Sequence, residues 1–398
     1  EPKRATRLHR VYNDDYNNTV PYKPDGAHMT FPGMAKIVNG KPFKFYPHQP
    51  DAIWRVLQTG NTLLAHVVGS GKTFVMTAAG MEAKRIGLAK KPMYVVPNKI
   101  LEQFGREFLQ LYPTARVLVA TKKDLQKENR RAFMAKVANN EWDAVIMAQS
   151  SFTLVPVSPA FEERFIRGEM SGIEEALIAA QLEAQAEGSR AMRSLVRAIE
   201  LAKERIETRL KELENRDRKD DVLSFEEMGI DMLFVDEAHN YKNLYAPSKQ
   251  RSLGGGKPVQ KALDMYMKVS YLNERTPGRG TVFATGTPLS RSIVEMYTLL
   301  RYLAPEELAS RGMKRLDAWA AGFAESATKI ELRPEGGFRN YTRLSHFKNA
   351  PELSQLFLTI ADVQTADMLG LPKPTIRGGQ AEVVVAPMSE ELSRYQEH

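Results

Sequence analysis

The chain has 398 residues, of which 43% are hydrophobic and 26% are charged, and this composition is typical of a soluble globular protein. No apolar stretch approaches the roughly 18 residues that suggest a membrane span, and the N-terminal sequence EPKRATRLHR lacks the apolar core of a secretory signal. The absence of cysteine excludes disulfides and thiolate zinc sites and favours a cytoplasmic protein, whereas the net charge of +8 fits a polyanionic partner and a merely basic surface equally well.

Six short apolar runs, the first five each followed by a plausible helix, predict the strands of a sheet. They are Leu63–Ala65, Met93–Val96, Val117–Ala120, Ala144–Met147, Met232–Val235 and Thr281–Ala284. Uninterrupted apolar strands are buried on both faces, and strands that alternate with helices form parallel sheets through right-handed crossovers. We therefore expect an α/β fold with a central, mostly parallel sheet flanked by helices.

The predicted domain order places this lobe at residues 41–305, after an N-terminal extension over residues 1–40. Residues 306–380 predict a mostly helical extension with polar breaks, for example at Pro334. The strand-like run Glu382–Ala386 then predicts the start of a second lobe over 381–398, which is cut short. Because the chain also begins without Met, we expect it to be a fragment of a longer protein.

An insertion over residues 158–221 interrupts the alternation. Ser171–Glu187 and Ser189–Arg216 predict two helices joined at Gly188, and apolar residues spaced by three and four indicate a seam between them. We expect an antiparallel helical hairpin. Basic residues could make it an arm that touches DNA or a partner, but interleaved glutamates favour simple packing on the lobe. The basic residues are Lys203, Arg205, Arg209 and Lys211.

A glycine-rich segment, Gly69-Ser70-Gly71-Lys72-Thr73, follows one apolar run and opens a predicted helix. This is the setting of a phosphate-binding loop, in which backbone N–H groups and the helix N-terminus attract phosphate. Lys72 would neutralise the β and γ oxygens, and the Thr73 hydroxyl would reach Mg²⁺. His66 stands where the strict motif has glycine, which disfavours many small-molecule kinases. A plain glycine-rich turn is the less favoured alternative.

An acidic pair follows the run Met232–Val235. A carboxylate at the end of a buried strand can hold Mg²⁺ through water, so Asp236 is the candidate metal residue. Glu237 is then the group to orient or deprotonate the attacking water. His239 would link this pair to other motifs. The four-residue run 236–239 is weak evidence for an ATPase on its own. It becomes strong evidence when a phosphate loop stands upstream in the same chain.

Hydroxyl groups also follow the run Thr281–Ala284. Thr285, Gly286 and Thr287 beside an acidic pair suit a sensor that relays the state of the γ-phosphate. An ordinary turn at the end of a strand would be the interpretation without the other motifs.

The phosphate loop, the box Asp-Glu-Ala-His (236–239) and the sequence Ala-Thr-Gly-Thr-Pro (284–288) together resemble the first RecA-like lobe of superfamily-two helicases. Further segments resemble the Swi/Snf remodeller and restriction-translocase branch: Tyr46–Gln49, Val95–Gln103, His239–Asn243 and Gly286–Leu303. The resemblance implies ATP and Mg²⁺ as cofactors, with Gln49 reading the adenine edge.

The same resemblance implies that DNA is bound as a duplex, through its backbone and without sequence specificity. Candidate contacts by motif position are Asn98, Lys99, Gln149, Ser150, Lys242, Asn243 and Arg291. An exposed polar residue without a nucleic-acid role is the alternative for each of them.

The sequence also resembles large helicase-like proteins of phages, plasmids and conjugative elements, which are often fused to an adenine-specific DNA methyltransferase. Counterparts include Phe31–Met34, Phe225–Asp231 and Phe347–Leu353. This resemblance implies an ATP-driven DNA translocase or helicase lobe that serves restriction, anti-restriction or DNA processing on a mobile element.

Motors of this kind hydrolyse ATP between two lobes, and the second lobe supplies arginine fingers. No arginine-rich motif of that type is present in the sequence, so we expect this chain alone to bind ATP weakly and to hydrolyse it slowly. Two other functions remain open: a nucleic-acid-binding scaffold with a vestigial ATP site, and a phosphate-loop kinase that acts on a small molecule.

Overall fold

A computed structural model describes residues 4–7, 10, 22–187, 190–214, 223–246, 248, 260–290, 292–332 and 337–370. The predicted start of a second lobe at 381–398, the turn residue Gly188 and the candidate contact Arg291 lie outside these residues. Among the helices that are described, none combines the length and the apolar character needed to cross a bilayer.

A seven-stranded sheet with all neighbouring strands parallel forms the centre of the fold, in the order β11-β3-β8-β7-β4-β6-β5. Its strands are β3 Thr62–His66, β4 Pro92–Val96, β5 Val117–Val119, β6 Ala144–Ala148, β7 Met232–Asp236, β8 Thr281–Ala284 and β11 Ala361–Gln364. The first six correspond to the six apolar runs, so the predicted α/β fold with a parallel sheet is confirmed.

Helices cover both faces of this sheet. They are α1 His48–Thr59, α2 Lys72–Arg85, α3 Leu101–Leu111, α4 Lys127–Asn139, α5 Gln149–Phe152, α6 Pro159–Glu187, α7 Arg190–Glu214, α8 Gln260–Arg275, α9 Val294–Leu303, α10 Pro305–Ser310, α11 Leu316–Phe323, α12 Ala350–Ile360 and α13 Ala366–Leu369. Two short antiparallel pairs complete the fold. They are β1 Ile37–Val38 with β2 Lys41–Pro42, and β9 Ala324–Leu332 with β10 Phe338–Phe347.

Alternate strand residues enter two separate cores, which explains why the strands are apolar throughout. In β4, Met93 and Val95 pack in the core that contains the buried Trp319 of α11. Tyr94 and Val96 point the other way, into the core beneath α1, α2 and α3. A strand that is buried on both faces cannot alternate polar and apolar residues, so its sequence is a continuous apolar run.

The inserted helices α6 and α7 form the predicted hairpin and have a small apolar core of their own. Lys203 of α7 pairs with Glu174 of α6 at 3.0 Å, as expected when two helices pack antiparallel. Helix α6 begins at Pro159, earlier than the predicted Ser171. This first part of α6 packs on the lobe, where Glu169 pairs with the buried Arg301 of α9 at 2.7 Å.

The region after residue 305 differs from the mostly helical extension that the sequence predicts. It contains helices, but also the β9–β10 hairpin and strand β11, which pairs in parallel with β3. The central sheet therefore continues beyond the predicted boundary at 305, and β11 is one of its edge strands. The correction has a physical reason: an edge strand of four residues directly after a helix carries too little sequence pattern to be recognised.

Candidate nucleotide site and nucleic-acid edge

The predicted phosphate loop connects the end of β3 to the start of α2, so its backbone amides lie at the positive end of a helix. Gly69 and Gly71 have φ values of 85° and 80°, a region in which only glycine is unstrained. Lys72 donates to the carbonyl oxygens of His66 at 2.9 Å and Val67 at 3.2 Å. The lysine thus curls back over its own loop.

Gln49 and His48, at the start of α1, contact this loop directly. The buried Gln49 side chain accepts a bond from the backbone N–H of Tyr46 at 2.8 Å and donates to the carbonyl of Ser70 at 3.3 Å. His48 Nε2 lies 2.9 Å from the same carbonyl. A Cβ on Gly71 would collide with the Gln49 amide. In this structure Gln49 therefore supports the loop, and its predicted reading of adenine stays a prediction.

The acidic pair lies at the same edge of the sheet as the phosphate loop. Strands β3 and β7 are separated only by β8, so their ends are about 10 Å apart. Burial, with a contribution from Glu237, raises the pKa of Asp236 to about 6, and Lys72 opposes this rise. Desolvation lowers the pKa of Lys72, and Asp236 and Glu237 oppose that change. The ammonium and the two carboxylates thus share one electrostatic environment.

Glu237 has a strained backbone. Its φ of 50° and ψ of 47° lie in the left-handed region, which is uncommon for residues other than glycine and is concentrated at functional sites. The turn directs its carboxylate toward His239, whose Nδ1 lies 2.9 Å from Glu237 Oε2 and 3.2 Å from Thr285 Oγ1. His239 therefore contacts both the acidic pair and the segment after β8.

The segment after β8 is wedged between the phosphate loop and the acidic pair. Thr285 is fully buried, and its N–H donates to the carbonyl of Leu64 in β3 at 3.0 Å. The Thr285 hydroxyl accepts a bond from the N–H of Thr287 at 3.1 Å. A Cβ on Gly286 would lie 3.2 Å from a methyl group of Val68. The three predicted coupling residues thus contact both neighbouring motifs.

The chemistry of the donors fits Mg²⁺. Asp236 offers a buried carboxylate and Thr73, in the first turn of α2, offers a hydroxyl, and Mg²⁺ prefers such hard oxygen donors. Across the part of the chain that the structure describes, no three histidine and acidic residues form a metal-binding group.

The candidate nucleic-acid residues differ in how they are presented. Asn98, Lys99, Ser150 and Asn243 are exposed. Asn98 accepts a bond from the Ser150 hydroxyl at 3.1 Å, so the segments after β4 and β6 are joined at the sheet edge. Gln149 faces inward instead. It donates to the Asp236 carbonyl at 2.8 Å and accepts a bond from Asn240 at 3.2 Å, which connects the exposed segment to the acidic motif.

Lys242 is not placed as the sequence predicts. It is 8% exposed, and its ammonium donates to the Thr287 carbonyl at 2.7 Å, to the Ser290 hydroxyl at 3.2 Å and to Glu295 at 3.1 Å. All three N–H groups are used inside the protein, so Lys242 does not present its charge to a nucleic acid here. Its position joins the acidic motif to the segment after β8 and to α9.

Three residues that sequence reasoning missed lie in or beside these motifs. The Glu295 carboxylate accepts a hydrogen bond from the Lys242 ammonium. Asp362 of β11 accepts a 2.6 Å bond from Nε2 of the buried His66. Arg55 of α1 donates to carbonyls at the end of α12. Asp362 is 296 residues from His66, so no local pattern identifies the pair. The histidine at the glycine position of the phosphate loop was the one available signal.

Comparisons with known proteins show which family the chain belongs to. Residues 54–365 match the family described as "Probable helicase domain". The chain is 24% identical to the defense against restriction protein B of Escherichia phage P1, over 99% of the chain and 19% of that protein. The chain thus spans about a fifth of the length of this curated relative.

Two solved structures from archaea also match. One is a Sulfolobus solfataricus SWI2/SNF2 ATPase core in complex with dsDNA, 13% identical with a TM-score of 0.35, covering 77% of this chain and 41% of that one. The other is a hypothetical ATP-dependent RNA helicase from Sulfolobus tokodaii, 12% identical with a TM-score of 0.31, covering 66% of this chain and 51% of that one. Since the family match extends over most of the chain, the protein belongs to the family of probable helicase domains.

Proposed function

We propose that this chain is the ATP-binding lobe of a DNA-dependent motor ATPase, a translocase or helicase of superfamily two. One observation carries the proposal: the phosphate loop, the acidic pair and the segment 285–287 meet at one edge of the sheet, with Lys72 in the electrostatic environment of both carboxylates. An anti-restriction role on a mobile element is supported by the likeness to the phage P1 protein.

Each residue of the site has a proposed role in hydrolysis. The loop Gly69–Thr73 and the N-terminus of α2 bind the phosphates, and Lys72 exchanges the carbonyls of its own loop for β and γ oxygens. Thr73 and Asp236 hold Mg²⁺, which when bound neutralises charge on the phosphate oxygens. Glu237 orients a water for attack on the γ-phosphorus and accepts its proton as the bond to the β-phosphate breaks.

Coupling to DNA is proposed to run along the same edge. Asn98, Lys99, Ser150 and Asn243 are exposed there and are suited to backbone phosphates, and the binding they contribute should weaken with salt. Gln149 connects this surface to the Asp236 carbonyl, so DNA contacts and the acidic motif share a direct link. Arg291 stays a candidate contact on sequence grounds alone.

A second lobe is part of the proposal. In such motors that lobe supplies arginine fingers, which contribute on the order of a thousandfold or more in rate. We propose that residues 381–398 begin it and that a methyltransferase can be attached or associated. The 398-residue chain alone should therefore bind Mg²⁺ and ATP but turn over slowly.

A DNA-stimulated ATPase assay tests this function. The assay compares the 398-residue chain with a longer chain that includes the next lobe, and Lys72→Ala serves as the control. Stimulation by duplex DNA in the longer chain, lost in Lys72→Ala, supports the proposal. DNA binding without turnover would favour the scaffold, and DNA-independent phosphate transfer would favour a kinase. Fast turnover by the 398 residues alone would contradict the two-lobe mechanism.

A further inference from the structure

We propose that strand β11 is a sensor of the nucleotide: His66 and Asp362 couple the phosphate loop to β11, so that phosphate binding at Lys72 changes the stability of this edge strand. The inference rests on the proposed function in one respect, namely that the loop binds a nucleoside triphosphate.

The first step is a buried bond between β3 and β11. His66, the last residue of β3, is 0% exposed, and its Nε2–H donates to the Asp362 carboxylate at 2.6 Å. A carboxylate only accepts, so Nε2 carries the proton. Nδ1 of the same ring is buried without a hydrogen-bond partner. Buried side-chain nitrogens without a hydrogen-bond partner are uncommon in proteins.

The pairing of β11 also continues into the phosphate loop. The backbone N–H of Val67 donates to the carbonyl of Gln364, the last residue of β11, at 2.9 Å. His66 and Val67 are thus held by β11 through one side-chain bond and one backbone bond. No other described strand contacts the loop from that side, because β11 is the edge of the sheet.

Lys72 acts on the same two residues. Its ammonium donates to the carbonyl oxygens of His66 and Val67. To bind β and γ phosphates, the ammonium must leave these carbonyls. Phosphate binding therefore removes the Lys72 ammonium from His66 and Val67, the two residues that β11 holds. The geometry of the loop at its junction with β11 then has to adjust.

A second contact connects α1 to the same region. Arg55 donates to the carbonyls of Leu358 and Thr359 in the last turn of α12, immediately before β11. Helix α1 begins with the residues that contact the Ser70 carbonyl, and the ring of His48 packs edge-on against His66 with centroids 5.9 Å apart. The phosphate loop is thus connected to β11 by two routes. One is the His66–Asp362 bond, and the other runs through α1 and Arg55 to the end of α12.

The position of β11 in the chain would allow this coupling to act on the proposed second lobe. β11 leads through α13 to residues 371–398, which include the proposed start of the second lobe. A strand whose pairing depends on the phosphate loop could report the nucleotide state to that lobe. The alternative is that His66 and Asp362 only stabilise the fold.

Hydrogen exchange separates the two possibilities. Exchange at the amides of residues 361–364 is measured in the full chain with and without a non-hydrolysable ATP analogue and Mg²⁺, and analogue affinity is measured in parallel. We expect the analogue to change exchange at β11 several-fold in the wild type. Asp362→Ala should abolish this response while its affinity for the analogue changes far less, and Asp362→Asn, which keeps an acceptor for Nε2–H, should restore part of it.

The matched control is Asp231→Ala, directly before the central strand β7 and at the end of that strand opposite the acidic pair. The Asp231 carboxylate accepts from the backbone N–H groups of Lys90 and Lys91 at 2.7 and 2.9 Å. This variant should be destabilised and still respond at β11. An unchanged β11 in a wild type that binds the analogue, or a full response in Asp362→Ala, would overturn the inference. Failure of the wild type to bind the analogue would overturn the proposed function as well, and the affinity measurement identifies that case.

Discussion

At the scale of single residues, the buried carboxyl of Asp236 sets the pH range in which the proposed metal site forms. Its pKa is raised from 3.8 to about 6, and metal binding requires the ionised form. Below about pH 6 a proton must be released first, so we expect Mg²⁺-dependent analogue affinity to fall about tenfold per pH unit there, as measured by calorimetry. Asp236→Asn should be weak and independent of pH over that range, and a flat wild-type profile would contradict the assignment.

In the absence of metal, the raised pKa of Asp236 makes the folded state more stable at low pH, whereas metal binding is weaker there. The folded protein holds the Asp236 proton more tightly than the unfolded chain does. The carboxyl therefore favours the folded state below pH 3.8, and this contribution is lost as pH rises through about 6. Comparing the pH dependence of unfolding in the wild type and in Asp236→Asn measures it.

The strained backbone of Glu237 predicts a difference between two substitutions that both remove its carboxylate. Alanine keeps the left-handed strain and glycine relieves it, although glycine also makes the unfolded chain more flexible. We expect Glu237→Gly to be as stable as Glu237→Ala or more stable, by up to about 1 kcal/mol. Denaturant unfolding provides the measurement, and a clearly less stable glycine variant would show that strain is not stored there.

At the scale of elements, Lys242 connects the acidic motif to α9. Removing it leaves Glu295 in a buried position without a cation, so Lys242→Met should cost roughly 3 kcal/mol of unfolding free energy. The double variant with Glu295→Leu should regain most of that loss. If the single variant unfolds like the wild type, the buried pair has no energetic role.

DNA binding distinguishes Lys242 from the exposed Lys99. Each lysine that contacts a phosphate contributes about 1 to the slope of log affinity against log salt. Lys99→Gln should therefore lower the slope, whereas the double variant Lys242→Met with Glu295→Leu should leave it unchanged. A fall in slope in that double variant would restore Lys242 as a DNA contact.

The sequence predicts some elements of this site far better than others. Uninterrupted apolar runs identify six strands because burial on both faces leaves no room for polar residues. The phosphate loop is recognisable because both glycines and Lys72 lie within four residues of sequence, 69–72. The burial of Lys242 could not be predicted, because its partner Glu295 lies 53 residues away and becomes a neighbour only in the fold. Strand β11 could not be predicted for the same reason, because only its pairing with the distant β3 makes it a strand.

At the scale of the whole molecule, a parallel sheet collects the ends of its strands at one edge, and the motifs that follow those ends meet there, with Gln49 at the start of α1 beside the phosphate loop. The nucleotide motifs follow β3, β8 and β7, and the exposed polar segments follow β4 and β6. Two chemistries can thus be coupled over a few strand spacings of about 5 Å each. Gln149 bonds the exposed segment after β6 to the acidic motif, and His239 and Lys242 bond the acidic motif to the segment after β8.

Calorimetric titration of the chain with a non-hydrolysable ATP analogue, with and without Mg²⁺, tests the central claim most directly. Lys72, Asp236 and their neighbours should bind one nucleotide per chain in a Mg²⁺-dependent manner. Lys72→Ala should weaken binding by on the order of tenfold or more, because the phosphates lose their charge-assisted partner. Equal binding by the wild type and Lys72→Ala, or binding that is indifferent to Mg²⁺, would contradict the account.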